Sequence, residues 1–74
     1  MSGYNERKLS VLECLKDLGE ARAYDVADYL GIRLDAAKMA LSRYHYQRLL
    51  NRTRGLYQLS EKGFKRLEYL RTNI

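Results

Sequence analysis

The sequence predicts a mainly α fold with a small β-hairpin, and three observations carry that reading. Apolar residues recur at helical spacing in four separate stretches of the 74 residues. Between Ala23 and Ser42 two of these stretches meet at a glycine corner and carry alanines where helices that cross tightly need small side chains. Further on, two short β-prone runs, Leu49-Leu50-Asn51-Arg52 and Leu56-Tyr57-Gln58-Leu59, flank the turn residues Thr53-Arg54-Gly55.

The first helix opens at Tyr4-Asn5-Glu6, where Asn5 can cap the free amides, Tyr4 can staple onto Leu9 and Glu6 suits the positive end of the dipole. Leu9, Leu12 and Leu15 form its apolar stripe, Val11 and Leu18 widen it, and Gly19 stops it. A short extended piece, Ala21 to Ala23, is expected to add a strand to a small sheet. The second helix runs from about Tyr24 to Leu30 on Val26, Ala27 and Leu30; Gly31 ends it and Ile32 plugs the corner. From an acidic cap at Asp35 the third helix extends to about Gln47, with Leu34 available to staple on Met39 and with Ala37, Ala40, Leu41 and Tyr44 on the core side. After the hairpin, where Gly55 supplies a positive φ, Ser60 caps a last helix whose Phe64, Leu67, Leu70 and Ile74 lie along one stripe. Gly63 in its first turn predicts close approach of another backbone, that of the hairpin. The order is helix, short strand, helix, helix, two-stranded wing, helix, a winged helix, with residues 1–74 as one domain.

Charge is distributed unevenly along this order. Residues 1–32 hold four basic and six acidic side chains, residues 33–58 six and one, residues 59–74 four and two. The basic surplus thus begins where the third helix begins, and cations gathered in one segment suit an anionic partner, nucleic acid first among them. Cys14 and His45 are each alone, so no disulfide and no Cys/His metal site can be built within one chain. Cys14 is expected to be a reduced, partly buried helix residue. No apolar run approaches the ~20 residues that span a bilayer and no leader pattern is visible, so a cytoplasmic protein without membrane contact is expected. The chain offers no nucleophile–base pair, no glycine-rich phosphate loop and no spaced carboxylate pair, so neither an enzyme nor a cofactor is expected. No small-molecule effector is evident.

An α-helix with its side chains has about the width of a DNA major groove, and its N-terminal residues reach base edges first. By that geometry Arg33, Lys38, Met39, Ser42 and Arg43 are the side chains nearest bases and flanking phosphates. Arg43 is the leading candidate for a guanine contact, because a planar fork addresses O6 and N7 together. Tyr46 can donate to a phosphate. At the wing, Arg52 and Arg54 flank Thr53 and would place two guanidinium groups on the backbone or in the adjacent minor groove. Most tyrosines, Tyr24, Tyr29 and Tyr44 among them, fall in or beside the packing pattern and are read as structural.

The Ala23–Ser42 unit, with Ala27 at the crossing and Gly31 in the turn, and the run Gly55-Leu56-Tyr57-Gln58-Leu59-Ser60-Glu61-Lys62-Gly63 together resemble prokaryotic winged helix-turn-helix transcriptional regulators, the broad group that includes the MarR, ArsR and PadR families. The resemblance covers Asn5 to Thr72. It departs at Arg48-Leu49-Leu50, where a Gly-Leu pair is the pattern. It implies a sequence-specific regulator of transcription that binds double-stranded DNA with the third helix in the major groove. The alternatives are a nonspecific architectural DNA-binding protein and a winged helix that binds protein. Apolar residues in excess of core needs on the terminal helices, Val11, Cys14, Leu18, Leu70 and Ile74, suggest a homodimer interface.

Overall fold

A computed structural model of the chain describes residues 3–73, with side chains from 6 to 72. The elements are α1 (Gly3–Leu18), α2 (Ala23–Leu30), α3 (Leu34–Tyr46), β1 (Leu50–Thr53), β2 (Leu56–Leu59) and α4 (Glu61–Asn73). This is a winged helix. No described helix is long and apolar enough to cross a membrane.

The core forms where the inward stripes converge: Val11, Leu12, Cys14 and Leu15 from α1, Val26 and Ala27 from α2, Ala37, Ala40, Leu41 and Tyr44 from α3, Leu67 and Leu70 from α4. Alanines at Ala27, Ala37 and Ala40 let α2 and α3 approach closely, as their spacing predicts. Gly31, left-handed at φ 66°, ends α2, and Ile32 N–H donates back to the Ala27 carbonyl at 3.0 Å. An ion pair between Arg71 and Glu13 at 3.1 Å joins α4 to α1, and its exposure limits it to at most about 1 kcal/mol.

Several expectations shift. The piece expected as a strand at Ala21 to Ala23 is a single bridge, Ala21 to Tyr57, because α2 already starts at Ala23. Arg33, not Asp35, occupies the position before α3; Asp35 lies inside the first turn and favours the dipole there. Leu34 is consequently the first helical residue, and it and Met39 both stay largely exposed. Phe64 is 50% exposed. Gly63 must face the carbonyl of Leu49, and the helical period then turns Leu67 and Leu70 inward and carries Phe64 off the stripe. Tyr24 and Tyr29 are exposed too, Tyr29 tying α2 to α1 by donating to Asp17 Oδ2 at 2.6 Å. That bond raises the Tyr29 pKa, since ionisation would lose it. Helix α1 begins at Gly3, and the Asn5 cap and Tyr4 staple fall on side chains outside the described ones.

The wing is held at both ends. β1 and β2 pair antiparallel with Leu50 opposite Leu59 and Thr53 opposite Leu56, leaving Arg54-Gly55 as a two-residue turn. Both turn residues are left-handed, Arg54 at φ 54° and Gly55 at φ 82°, the signature of a type I′ hairpin. At the base, Ser60 Oγ donates to the Arg48 carbonyl at 2.7 Å and accepts from Gly63 N–H at 3.0 Å. One hydroxyl thus caps α4 and fastens the exit of α3. A Cβ on Gly63 would collide with the Leu49 carbonyl oxygen and sit 3.1 Å from its carbon, so the close approach expected of this glycine is to the residue just before β1.

Candidate nucleic-acid interface

Burial of Ala37, Ala40, Leu41 and Tyr44 decides what α3 shows to solvent. With 3.6 residues per turn, the opposite side of the helix carries Asp35, Lys38, Met39, Ser42, Arg43 and Tyr46, with His45 at its margin. All are exposed; Met39 is 66% and Tyr46 88% accessible, large values for side chains with so much apolar surface. Arg33 precedes the first turn and is exposed as well. On the wing Arg52, Thr53 and Arg54 are exposed. All nine side chains expected at a nucleic-acid surface therefore reach solvent, and they come from two elements that adjoin.

Between those elements lies an open notch of about 720 Å³, lined by Ser42, His45, Tyr46, Arg48, Leu50 and Asn51. Tyr57 on β2 is buried, at 8% exposure, and two side chains meet its ring. The Arg52 guanidinium carbon stands 5.4 Å from the Tyr57 ring centre, and the His45 ring meets it edge-on at 6.1 Å. One aromatic ring thus orients a wing cation and an α3 imidazole together. Beneath α3, Lys8 is 5% exposed, donates to Gln47 Oε1 at 3.0 Å and sits 5.5 Å from the Tyr44 ring centre. A cation there suits the negative end of α3 and ties α1 to the helix that carries the candidate contacts.

Asn51 and Arg22 escaped sequence reasoning as site residues, and Asn51 could have been found from the strand register. His45, a ring on the third helix, and Arg48, one of the six cations of the basic segment, line the notch as well. What the sequence did not announce at Arg48 is its backbone, left-handed at φ 65° at the position where the resemblance expects glycine. Its geometry is nonetheless that of a left-handed helix end, with Arg48 N–H donating to His45 at 2.9 Å and Leu49 N–H to Tyr44 at 3.0 Å. Arg22 reaches the wing tip, its Nη1 donating to the Arg54 carbonyl at 3.3 Å across 32 residues of chain. No local pattern announces such a contact.

The expected dimer residues are corrected by burial. Val11 and Cys14 are 0% and Leu70 6% exposed within a single chain, because α1 and α4 need them to close the core over β2. They are not surplus. Leu18 is 42% exposed, and Ile74 lies outside the described residues. Cys14, expected to be partly buried, is wholly buried; burial first, then the Asp17 and Asp25 carboxylates, push its thiol up to about 11. Among the described residues no group of three or more His, Cys, Asp or Glu gathers to hold a metal ion.

No protein-family model matches the chain, and no curated protein matches it. Among solved structures, the YusO protein from Bacillus subtilis is similar in fold, with a TM-score of 0.81 and 22% sequence identity over 88% of this chain and 51% of that one. The chain thus spans about half the length of that structure. At this identity the likeness concerns the fold.

Proposed function

We propose that this chain binds double-stranded DNA and discriminates sequence as a regulator of transcription, with α3 in the major groove and the wing on the backbone or in the minor groove. The observation that carries this reading is the exposure of Arg33, Lys38, Met39, Ser42, Arg43, Tyr46, Arg52, Thr53 and Arg54 on two adjoining elements that hold most of the basic surplus. A helix offering cations, a hydroxyl and a thioether has partners for guanine edges, phosphates and thymine methyl groups. Arg43 supplies the base contact, and Arg52 and Arg54 hold phosphates. Lys8 and the Ser60 hydroxyl act only through the placement of α3 and the wing.

The test is duplex binding across a salt series. If three to five of these cations neutralise phosphates, log affinity falls with log salt at a slope of about −3 to −5. Selection from a random duplex library followed by competition with unrelated DNA then separates a regulator, which prefers its site by about 10³-fold or more, from an architectural protein. Arg43→Ala should cost about 1–3 kcal/mol and relax preference at one base position, whereas Arg54→Ala should weaken all sequences alike. Duplex binding that is absent or insensitive to salt overturns the reading and favours a protein-binding role.

Homodimerisation on a palindrome with half-sites roughly 10 bp apart belongs to the same proposal. The apolar side chains open on the described terminal helices are Leu18, Phe64 and Tyr69, and a contact between copies would use those. Light scattering that gives a strict monomer at tens of micromolar removes the dimer without touching DNA binding.

A further inference from the structure

The connector before α2 meets the wing twice. Ala21 exchanges two hydrogen bonds with Tyr57, at 2.9 and 2.8 Å, and Arg22 Nη1 donates to the Arg54 carbonyl at 3.3 Å. A Cβ on Gly55 would lie 3.0 Å from that same nitrogen, so the guanidinium lies against the tip. Arg22 is itself anchored. Its N–H donates to Asp25 Oδ2 at 3.0 Å, and its carbonyl accepts from Asp25 and Val26 at 3.0 and 3.2 Å as α2 begins. Arginine has no acceptor to complete a reciprocal cap, so its side chain is left for the wing.

The tip it touches is conformationally demanding. Two consecutive left-handed residues are demanded there, and one of them is an arginine, a residue that adopts that region rarely. A two-stranded hairpin is marginal by itself, and the peptide between Arg54 and Gly55 is the one whose rotation converts one turn type into another. Its carbonyl is the group that Arg22 holds.

We propose that Arg22 is a positioning residue of the nucleic-acid surface: its guanidinium locks the Arg54–Gly55 peptide and so sets the direction in which Arg54 leaves the wing and the spacing between wing tip and α3. This rests on the nucleic-acid reading above. A tip held in this way before any ligand arrives spares the ordering cost on binding.

Arg22→Met keeps an unbranched stem and removes every donor. The amides of Arg54, Gly55 and Leu56 in that variant should drop in NMR order parameter from the rigid range near about 0.85 to below about 0.6. Duplex affinity should fall about three- to tenfold, and the same change in an Arg54→Ala background should cost nothing further, because the brace acts through Arg54. Arg22→Lys keeps the charge and the backbone cap without the planar fork, and it should loosen the tip as well. If Arg22→Lys binds DNA like the wild type, or if the Arg22→Met and Arg54→Ala losses add, Arg22 touches phosphate directly and the positioning role is wrong. An unchanged tip in Arg22→Met overturns the brace. A wild-type chain that binds no duplex overturns the nucleic-acid reading itself, an outcome distinct from wild-type binding that Arg22→Met leaves intact.

Discussion

Replacing Arg48 with glycine is expected to stabilise the fold, although it deletes a charged side chain beside the candidate site. Arg48 holds φ 65°, where an L side chain crowds its own carbonyl at a cost of roughly 1–2 kcal/mol. Glycine escapes that cost but gives the unfolded chain more freedom, which takes back roughly 0.4–1 kcal/mol. The groups of Arg48 that hold the fold are main-chain: its N–H to His45 at 2.9 Å and its carbonyl, which accepts from Ser60 at 2.7 Å. Both survive the substitution. The net gain is about 0.5–1 kcal/mol, in a chain whose total stability at this size is about 4–11 kcal/mol, and corresponds to a rise in melting temperature of about 2–8 °C. Urea and thermal denaturation followed by circular dichroism measure it. Arg48→Ala is the control, since alanine keeps the steric cost and should gain nothing. Equal stability of the glycine and alanine variants would refute the reasoning, because the left-handed backbone would then carry no penalty. DNA binding reads a separate quantity: the exposed guanidinium lines the notch, so the glycine variant should bind more weakly while melting higher.

Gly63→Ala should destabilise by about 1–3 kcal/mol or more, since its methyl would overlap the Leu49 carbonyl, and wild-type stability in urea would show that α4 can slide away from the wing. Ser60→Ala removes a helix cap and the bond to Arg48, and a loss of about 1–2 kcal/mol in the same assay is expected. The Cys14 thiol should resist alkylation in the folded chain at pH 8 and react at once in denaturant; fast native labelling would mean that α1 opens readily. Its pKa, raised from 9.0 to about 11, also makes stability pH-dependent. Below pH 9 both states are protonated and the full stability is present; between about 9 and 11 only the unfolded chain ionises, so stability falls by up to about 1.4 kcal/mol per pH unit, and Cys14→Ala should flatten that fall.

Much of the architecture was legible because its signals are local. Gly31 and Gly55 act within four residues of themselves through a left-handed φ, and so does Ser60 where its hydroxyl caps its own helix. The apolar periods of α2 and α3 placed Val26, Ala27, Ala37, Ala40, Leu41 and Tyr44 inside, and all six are buried. The nine expected contact side chains could be named because exposure on α3 is the complement of that period, and on the wing follows from the hairpin. The terminal helices were harder. Their stripes are wide enough to accept more than one rotation, and the stripe alone does not say which residues a neighbour covers.

Sequence therefore determined the four helices and the hairpin and their order, the place of Gly55 in the turn that closes the wing, and the concentration of cations on α3 and the hairpin. Tertiary structure decided the rest: that Gly63 seats against Leu49 and turns Phe64 outward, that Val11, Cys14 and Leu70 are consumed by the core, and that Ala21 and Arg22 reach Tyr57 and Arg54. The reason is the range of the interactions. A cap, a turn or a helical face is settled by neighbours a few residues away, whereas burial and the Arg22 contact depend on groups brought together only when the separate elements pack.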